Sequence, residues 1–418
     1  MLYCVPSISY LPKKRTLMSN KTIYRITLTP LSPFFFGGEN TFGDDNRNYL
    51  VKSNYFPQQT ALLGLLRYQL LVQNGLLSDV NGNVVDIEKA QKLIGECSFA
   101  PTPDNTHNQF GVIENISPIF LLRQDTTTQK ETTYWTAPFN EGYNSKSKYS
   151  DAWHLHIEPN NSCLSARNSQ QKTMAKPLCV LKRMDKDGKE EVYLAKNELE
   201  TYLLGSDNST KCYEDVFKSV EKIGINRPLS HKPHTSHLST PNVAEESGFY
   251  KQTSYNLEQG FSFAFYATLT DDTKLHNNVV YLGAERSAFM MNVHKVDDIP
   301  KNYDYASKIS GSVKSNEAVV QIVFISDTYV EADIYNYCQF AITQIVPFRF
   351  LQARLSKTRH YFDVSDEKIV AMQKSKKFQL LKRGSILFVR KSDIENATNL
   401  IKKYQDFTQI GYNQFIIF

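Results

Sequence analysis

Hydrophobic and polar positions alternate first at residues 23–29, where Tyr24, Ile26 and Leu28 interleave with Arg25, Thr27 and Thr29; this predicts a strand that ends at Pro30. A loop with Pro33, Gly37, Gly38 and Gly43 follows, and then PQQTALLGLLRYQLLVQNG at 57–75 predicts a strongly apolar helix, with Thr60 as N-cap and Gly75 as stop. Residues 124–176, rich in Thr, Ser, Asn, Gln and Lys, read as a loop-dominated insertion. An amphipathic helix is predicted at 211–222, with Tyr213, Val216, Phe217 and Val220 on one face and Gly224 closing it.

The second half opens on a long strand in which Phe261, Phe263, Phe265, Ala267 and Leu269 share a face. Shorter strands are predicted at 279–282 and 288–293. A strand at 319–325 leads through Ser326 and Asp327 into a predicted helix carrying Ile334, Cys338, Ile342 and Ile345. The pattern repeats as a strand at 386–390, a helix with Ile394, Ala397, Ile401 and Tyr404, and a last strand at 414–418. Two β-α units with extra hairpins, and a strand plus helix near the start, predict an α+β chain of two ferredoxin-like (RRM-like) folds with β-hairpin and loop insertions. The expected division is a disordered extension at 1–20, with Met18 as an alternative start, an N-terminal domain at 21–225 and a C-terminal domain at 226–418.

Composition narrows the classes. With 418 residues, 41% hydrophobic and 22% charged, the chain is globular in character. Its six cysteines form no C-x-x-C pair, so reduced thiols are expected, and no apolar run is long enough to span a membrane. The basic cluster Lys13, Lys14 and Arg15 follows the weakly apolar start, the reverse of a secretory signal, which predicts a cytoplasmic protein.

Enzymatic motifs are sparse. Gly38 and Gly43 have phosphate-loop spacing, but Asp44 and Asp45 follow where Lys and Ser or Thr would hold a triphosphate. Gly37, Gly38 and Glu39 echo a polymerase-type turn, yet Asn40 stands where a second metal-clamping carboxylate is needed. His231, His234 and His237 lie in a proline-rich loop without Cys or carboxylate partners, which fits an exposed loop or RNA contact better than a metal site. His154 and His156 would share a strand face and are candidates for the acid and base of a metal-independent ribonuclease. No cofactor is implied.

Charge distribution says more than its sum of +5. Residues 349–403 carry 14 Lys or Arg against five acidic residues, so that segment is +9 and the remainder −4. Phe348, Phe350, Tyr361, Phe362 and Phe378 interleave with those cations, the combination that single-stranded nucleic acid requires. Phe34, Phe35 and Phe36 form an apolar loop that would suit a protein partner.

PLSPFFFGGE (30–39), PQQTALLGLLRYQLL (57–71), IGINR (223–227), EESGFY (245–250), LGAERSAF (282–289), LKRGSILFV (381–389) and IGYN (410–413), in this order, resemble the family of third subunits of Cmr complexes, RAMP-superfamily proteins of type III-B CRISPR effectors. The resemblance covers the chain from about residue 21 apart from the 124–176 insertion. It implies two ferredoxin-like folds and a non-catalytic role in a hetero-oligomeric antiviral ribonucleoprotein: holding the 5′ handle of the guide RNA between the large palm-domain subunit and the first backbone RAMP subunit. The corresponding subunit of type III-A complexes shares the architecture, and a RAMP-type endoribonuclease acting on repeat RNA through His154, His156 or the 231–237 histidines is the enzymatic alternative.

In that light the glycine turns at Gly37–Gly38, Gly384 and Gly411 would let backbone amides approach phosphates. Arg227, Arg286, Lys382 and Arg383, with His231, Lys232, Lys357 and Arg359, would supply contacts and charge; Asn226, Ser287 and Asn413 would read base edges or 2′-hydroxyls. Gln58, Gln59 and Thr60 would offer polar groups at a helix N-terminus, and Arg67 is a candidate partner for a core carboxylate. Many family members have an Arg-Asp-Gly turn where this chain has Gly37, Gly38 and Glu39, so no phosphate-binding arginine is carried over there.

Overall fold

The computed structural model describes residues 21–37, 48–78, 84–101 except 97, 110–136, 139, 141–143, 152–157, 164–168, 203–205, 216–226, 248–270, 273–299 except 284, 319–352 and 373–417. The expected extension at 1–20 and the 231–237 histidines lie outside them. The fold is mixed α/β, with mostly antiparallel sheets and few helices.

In the first part of the chain the strands are β1 (Thr22–Pro30), β2 (Asn48–Lys52), β3 (Ile113–Ile116), β4 (Phe120–Gln124) and β5 (Glu131–Thr136), with helices α1 (Gln59–Gln73) and α2 (Ile87–Ile94). Next come β6 (Glu141–Tyr143), β7 (Ala152–Ile157), β8 (Leu164–Asn168), β9 (Leu203–Gly205), β10 (Phe217–Asn226) and β11 (Gly248–Leu257). The remainder holds β12 (Phe261–Leu269), β13 (Asn278–Leu282), β14 (Ser287–Val296), β15 (Val319–Phe324), β16 (Cys338–Ile342), β17 (Ile345–Phe348) and β18 (Leu351–Gln352). The chain closes with β19 (Gln373–Lys374), β20 (Phe378–Leu381), β21 (Ile386–Arg390), α3 (Ile394–Lys402), α4 (Gln405–Gln409) and β22 (Phe415–Ile417).

An eight-stranded sheet in the order β13-β14-β1-β12-β4-β5-β9, with β3 also on β12, is the scaffold. β1 pairs antiparallel with both β12 and β14, so strands distant in sequence flank the first one, and the boundary anticipated at residue 225 falls inside β10. The period-2 pattern explains one face: Tyr24, Ile26 and Leu28 meet Phe261, Phe263, Phe265, Ala267 and Leu269, all buried. Helix α1 covers that face with Leu62, Leu63, Leu65, Leu66, Leu70 and Leu71. Each such side chain contributes about 1.5–3 kcal/mol of burial.

The C-terminal sheet, β16-β21-β15-β22, is covered by α3 through Ala397 and Ile401 on Ile322, Phe324, Leu387 and Val389. Its Ile325 and Ile416 rest on Phe120, Leu122, Trp135 and Ala264 of the large sheet. The hairpin β17–β20 and α4 send Phe348, Phe350, Phe378, Phe407 and Tyr412 into the main core, where Phe99 meets Phe350 and Phe407 edge-on at 5.1 Å.

Several expectations are corrected here. The segment predicted as a helix at 211–222 enters β10 at Phe217, and all ten β10 residues pair with β11; Val216 and Phe217 are buried at the end of a ladder. The helix predicted after Asp327 is a 3-10 turn, Ala332–Tyr337, followed by β16 and β17, because β16 completes a ladder with β21. Its Cys338 is a half-buried thiol that donates to the Ile334 carbonyl at 3.4 Å, and burial pushes it up to about 11. The 124–176 stretch is more than loop: β5 extends the large sheet with Tyr134 and Trp135 buried, and β6–β8 form a sheet of their own. The N-cap of α1 is Gln58, not Thr60. Phe34, Phe35 and Phe36 are core rather than partner surface, with Phe36 stacked on Phe289 at 5.9 Å. Phe348, Phe350 and Phe378 are likewise core, which removes them as stacking surfaces for a ligand.

Candidate nucleic-acid interface

Three pieces of chain converge beside the N-terminus of α1: residues 54–58, the paired strands β17–β20 with β18–β19, and the turn at 382–384. Between them runs a groove. Its narrow inner end is a cavity of about 80 Å³ lined by residues that include Tyr55, Phe56, Gln58, Pro347, Lys382 and Arg383. Past Pro57, Gln58 and Pro347, which line both parts, it widens into a cleft of about 780 Å³ bordered by Gly37, Gly64, Tyr68, Tyr281, Arg349 and Lys374. Among the described residues, the charged ones lining it are Lys382, Arg383, Arg349 and Lys374 and the carboxylate of Asp327.

That carboxylate is committed. Asp327 accepts the Arg383 backbone amide at 3.0 Å and its Nε and Nη2 at 3.4 Å each, while the guanidinium lies 4.5 Å from the centre of the Phe56 ring. Burial pushes the Asp327 carboxyl up, but Arg383, through charge and hydrogen bonds, and then Lys382 outweigh it and hold the group below the usual carboxylate value. The pair fixes the 382–384 turn on which Lys382 stands. Gly384 extends that anchorage, donating its amide to the Phe324 carbonyl at 2.7 Å and accepting the Phe139 amide at 2.8 Å.

The IGYN segment braces the floor. Gln59 Nε2 donates to the carbonyls of Ser117 and Ile410, both at 2.9 Å, tying the start of α1 to the C-terminal turn. Gly411 has φ +90°, and a Cβ there would stand 1.9 Å from Gln59 Nε2 and 2.6 Å from the Ser117 carbonyl oxygen. Only glycine fits. Asn413, at φ +56°, donates to the Tyr329 and Ile401 carbonyls at 2.9 and 2.8 Å and accepts the Tyr329 amide at 2.7 Å. On the opposite side the Ser287 hydroxyl accepts the Phe35 amide at 3.0 Å, and Arg286, at φ +50°, lies 5.4 Å from the Tyr281 ring centre.

The anticipated contact residues therefore separate into three sets. Gly37, Gln58, Lys382 and Arg383 line the groove, and Arg286 reaches it through Tyr281. Gln59, Ser287, Gly384, Gly411 and Asn413 are buried behind it and hold its walls. Thr60 is half-buried beside the Tyr412 hydroxyl. Gly38, Arg227, His231, Lys232, Lys357, Arg359 and the side chain of Asn226 lie outside the described residues. Arg67 lies over the Phe110 ring at 5.2 Å. His154 and His156 lie in β7, whose backbone pairs them with Arg167 and Ser165 of β8.

Sequence reasoning missed Gly64, Tyr68, Tyr281 and Pro347. One signal was available. Gly64, Tyr68 and Val72 fall at i, i+4 and i+8 of an otherwise apolar helix, and all three are exposed. A Cβ on Gly64 would meet nothing within 4 Å, so no internal contact demands glycine there. Among the described residues no three His, Cys, Asp or Glu side chains gather as metal ligands would, and no helix is long and apolar enough to cross a membrane.

A protein-family model described as CRISPR-associated protein (Cas_Cmr3) matches residues 26–418. No curated protein matches the chain. Among solved structures the chain is similar to one in the cryo-EM structure of the type III-B Cmr-beta bound to cognate target RNA, with 15% identity, 94% of this chain and 96% of that chain covered, and a TM-score of 0.42.

Proposed function

This chain belongs to the Cas_Cmr3 family of CRISPR-associated proteins, and from that premise we propose that it is the non-catalytic subunit of a type III-B effector that holds the 5′ handle of the guide RNA in the groove beside α1. The carrying observation is the groove's chemistry among the described residues: Lys382, Arg349 and Lys374 stand beside exposed tyrosines, and the Asp327 carboxylate is paired with Arg383. Phosphates would meet Lys382, Arg349 and Lys374, and bases would have Tyr68 and Tyr281, 52% and 57% exposed, as stacking surfaces. The other faces of the molecule would bridge the palm-domain subunit to the backbone RAMP subunits.

The test uses the purified full chain with a labelled RNA carrying the repeat-derived handle and one with the handle scrambled, titrated across salt. Tighter binding of the true handle, by about tenfold or more at moderate salt, is expected. Equal affinity for both would sink handle recognition. Incubated without metal, the RNA is expected to stay intact; cleavage at one position, stopped by His154→Ala or His156→Ala, would replace the scaffold role with a nuclease.

Gly64 sharpens the prediction. Glycine inside a helix costs roughly 0.5–1 kcal/mol relative to alanine, and this one sits where a Cβ would fit within the chain. Its absence makes sense if a bound backbone comes close to the helix. Gly64→Ala is therefore expected to raise the melting temperature slightly, by about 1 °C, while weakening RNA binding; unchanged affinity would place the RNA elsewhere.

A further inference from the structure

One edge of the large sheet is left open. Strand β13 ends the order β13-β14-β1-β12-β4-β5-β9 and pairs on one side only, with β14. The direction of its backbone groups follows from β14. The Ala288 carbonyl accepts the Leu31 amide and so faces β1, and alternation along the strand turns Ser287, Phe289 and Met291 toward β13. Their partners there are Leu282, Val280 and Asn278. Val279 and Tyr281 therefore direct their amides and carbonyls off the sheet, about 7 Å apart along the strand. Among the described residues nothing meets them there.

The edge is apolar on both sides. Val279 and Tyr281 are exposed on the face away from α1, since Val280 and Leu282 are buried in the core with that helix. On the other face α1 is tied to the strand: the Gln69 side chain accepts the Asn278 side-chain amide at 3.0 Å, and that of Gln73 accepts the His276 amide at 3.0 Å. Tyr68 and Val72, each one position before these glutamines, are exposed beside the edge.

Strand β13 lacks what guards a free edge. Its sequence NVVYL has no charge and no proline, and its five pairs with β14 run without a bulge. Other edges have such devices: β10 exposes Lys218, Glu221 and Lys222, β16 has a register shift after Cys338, and β9 and β22 are three residues each. Alternating amides and carbonyls between apolar strips suit an extended polypeptide with apolar side chains on both faces. Phosphates are acceptors only and would leave the two carbonyls unmet. A second copy docked by this edge would bury on the order of a few hundred Å² per chain, against about 800 Å² in a stable dimer. A subunit that is also held elsewhere needs no more than that.

Resting on the chain being an effector subunit, and not on the path of the RNA, we propose that the free edge of β13 takes up an extended segment of a neighbouring protein subunit, which adds to the large sheet as a further strand. The added strand bonds to the backbone of Val279 and Tyr281. Its side chains lie alternately on those two residues and on Tyr68 and Val72. Tyr68 and Tyr281, which also line the cleft, stand where protein and RNA adjoin.

The test is amide exchange at single-residue resolution, read on the isolated full chain, on that chain with handle RNA, and on the effector assembled by co-expression with the proteins encoded beside it. Val279 and Tyr281 are expected to exchange at least about 100-fold more slowly in the effector than in the isolated chain with or without RNA, while Val280, already bonded to β14, is slow throughout. Val279→Pro removes an outward donor at a position where an edge strand tolerates proline. It is expected to cut incorporation into the effector about tenfold or more, with the melting curve and RNA affinity of the isolated chain unchanged. Val279→Lys, which keeps the backbone and guards the edge with a charge, is expected to act in the same direction. Equal exchange in the isolated and assembled chain, or normal incorporation of both variants, would overturn the added strand. Protection by RNA alone would assign the edge to RNA instead, and protection in an isolated chain that elutes as a dimer would assign it to a second copy. Failure of the chain to enter any assembly would remove the subunit reading itself.

Discussion

Replacing Lys382, Arg349 and Lys374 together by alanine is expected to lower RNA affinity about 50-fold at roughly 0.15 M salt and to flatten the salt dependence. Each phosphate contact to a single strand contributes about 0.7 to the slope of log K against log salt, so three contacts account for about 2. A slope of that size, carried from molar salt down to 0.15 M, gives the fold-change. The three side chains belong to different elements, β20–β21, β17–β18 and β19, and meet only along the groove. Arg349 and Lys374 are exposed and Lys382 is half-buried, so the melting curve should barely move. An unchanged slope in the triple variant would show that the phosphates lie on another face.

Asp327→Ala is expected to be the most damaging single change to stability. It leaves the Arg383 guanidinium, 5% exposed, without its partner. Breaking a buried pair from one side costs about 3–5 kcal/mol, whereas replacing both members by apolar groups is often neutral. Asp327→Ala/Arg383→Met should therefore recover much of the loss in urea unfolding, and a double variant no better than the single would contradict the assignment. The pH dependence has a definite sign. Because the folded-state pKa of Asp327 is depressed below its ordinary value of 3.8, its contribution is fully present above that value and is lost as the pH falls through the folded pKa. Wild type should lose stability from pH 4 downward more steeply than Asp327→Asn; parallel curves would argue against the depressed carboxylate.

Legibility differed from element to element for identifiable reasons. The strands at 22–30 and 261–269 were readable because one of their faces is buried, and a period of two is what a half-buried strand imposes. Helix α1 was readable for the same reason at a period near 3.6. Where the reading failed, the apolar spacing was compatible with both periods. Val216, Phe217 and Val220 satisfy a helical face, and Ile334, Cys338 and Ile342 do so too; only the ladders with β11 and β21 made Phe217, Val220, Cys338 and Ile342 strand residues. The cationic segment was visible as composition, but its aromatics were assigned to the wrong surface. Phe348, Phe350 and Phe378 alternate with exposed cations on short strands, and their rings close the core while the charges face out.

The glycine and asparagine motifs carried real information with a different cause from the one their chemistry first suggested. Gly411 and Asn413 are constrained by the turn they make against Gln59 and Tyr329, not by a ligand. Gly64, which no internal contact explains, stood unnoticed inside an apolar run.

By itself the sequence determined the mixed α/β class, the first strand and first helix, the family through an ordered set of segments, and the concentration of positive charge after residue 349. Those properties are local: each depends on periodicity, composition or a short run of residues. Only the tertiary structure decided that second-half strands flank β1, that Asp327 neutralises Arg383 across 56 residues, and that Lys382, Arg349 and Lys374 share a groove with Tyr68 and Tyr281. Strand pairing and buried charge compensation act between residues far apart in the chain, and no local pattern records which distant partner will remove a side chain from water.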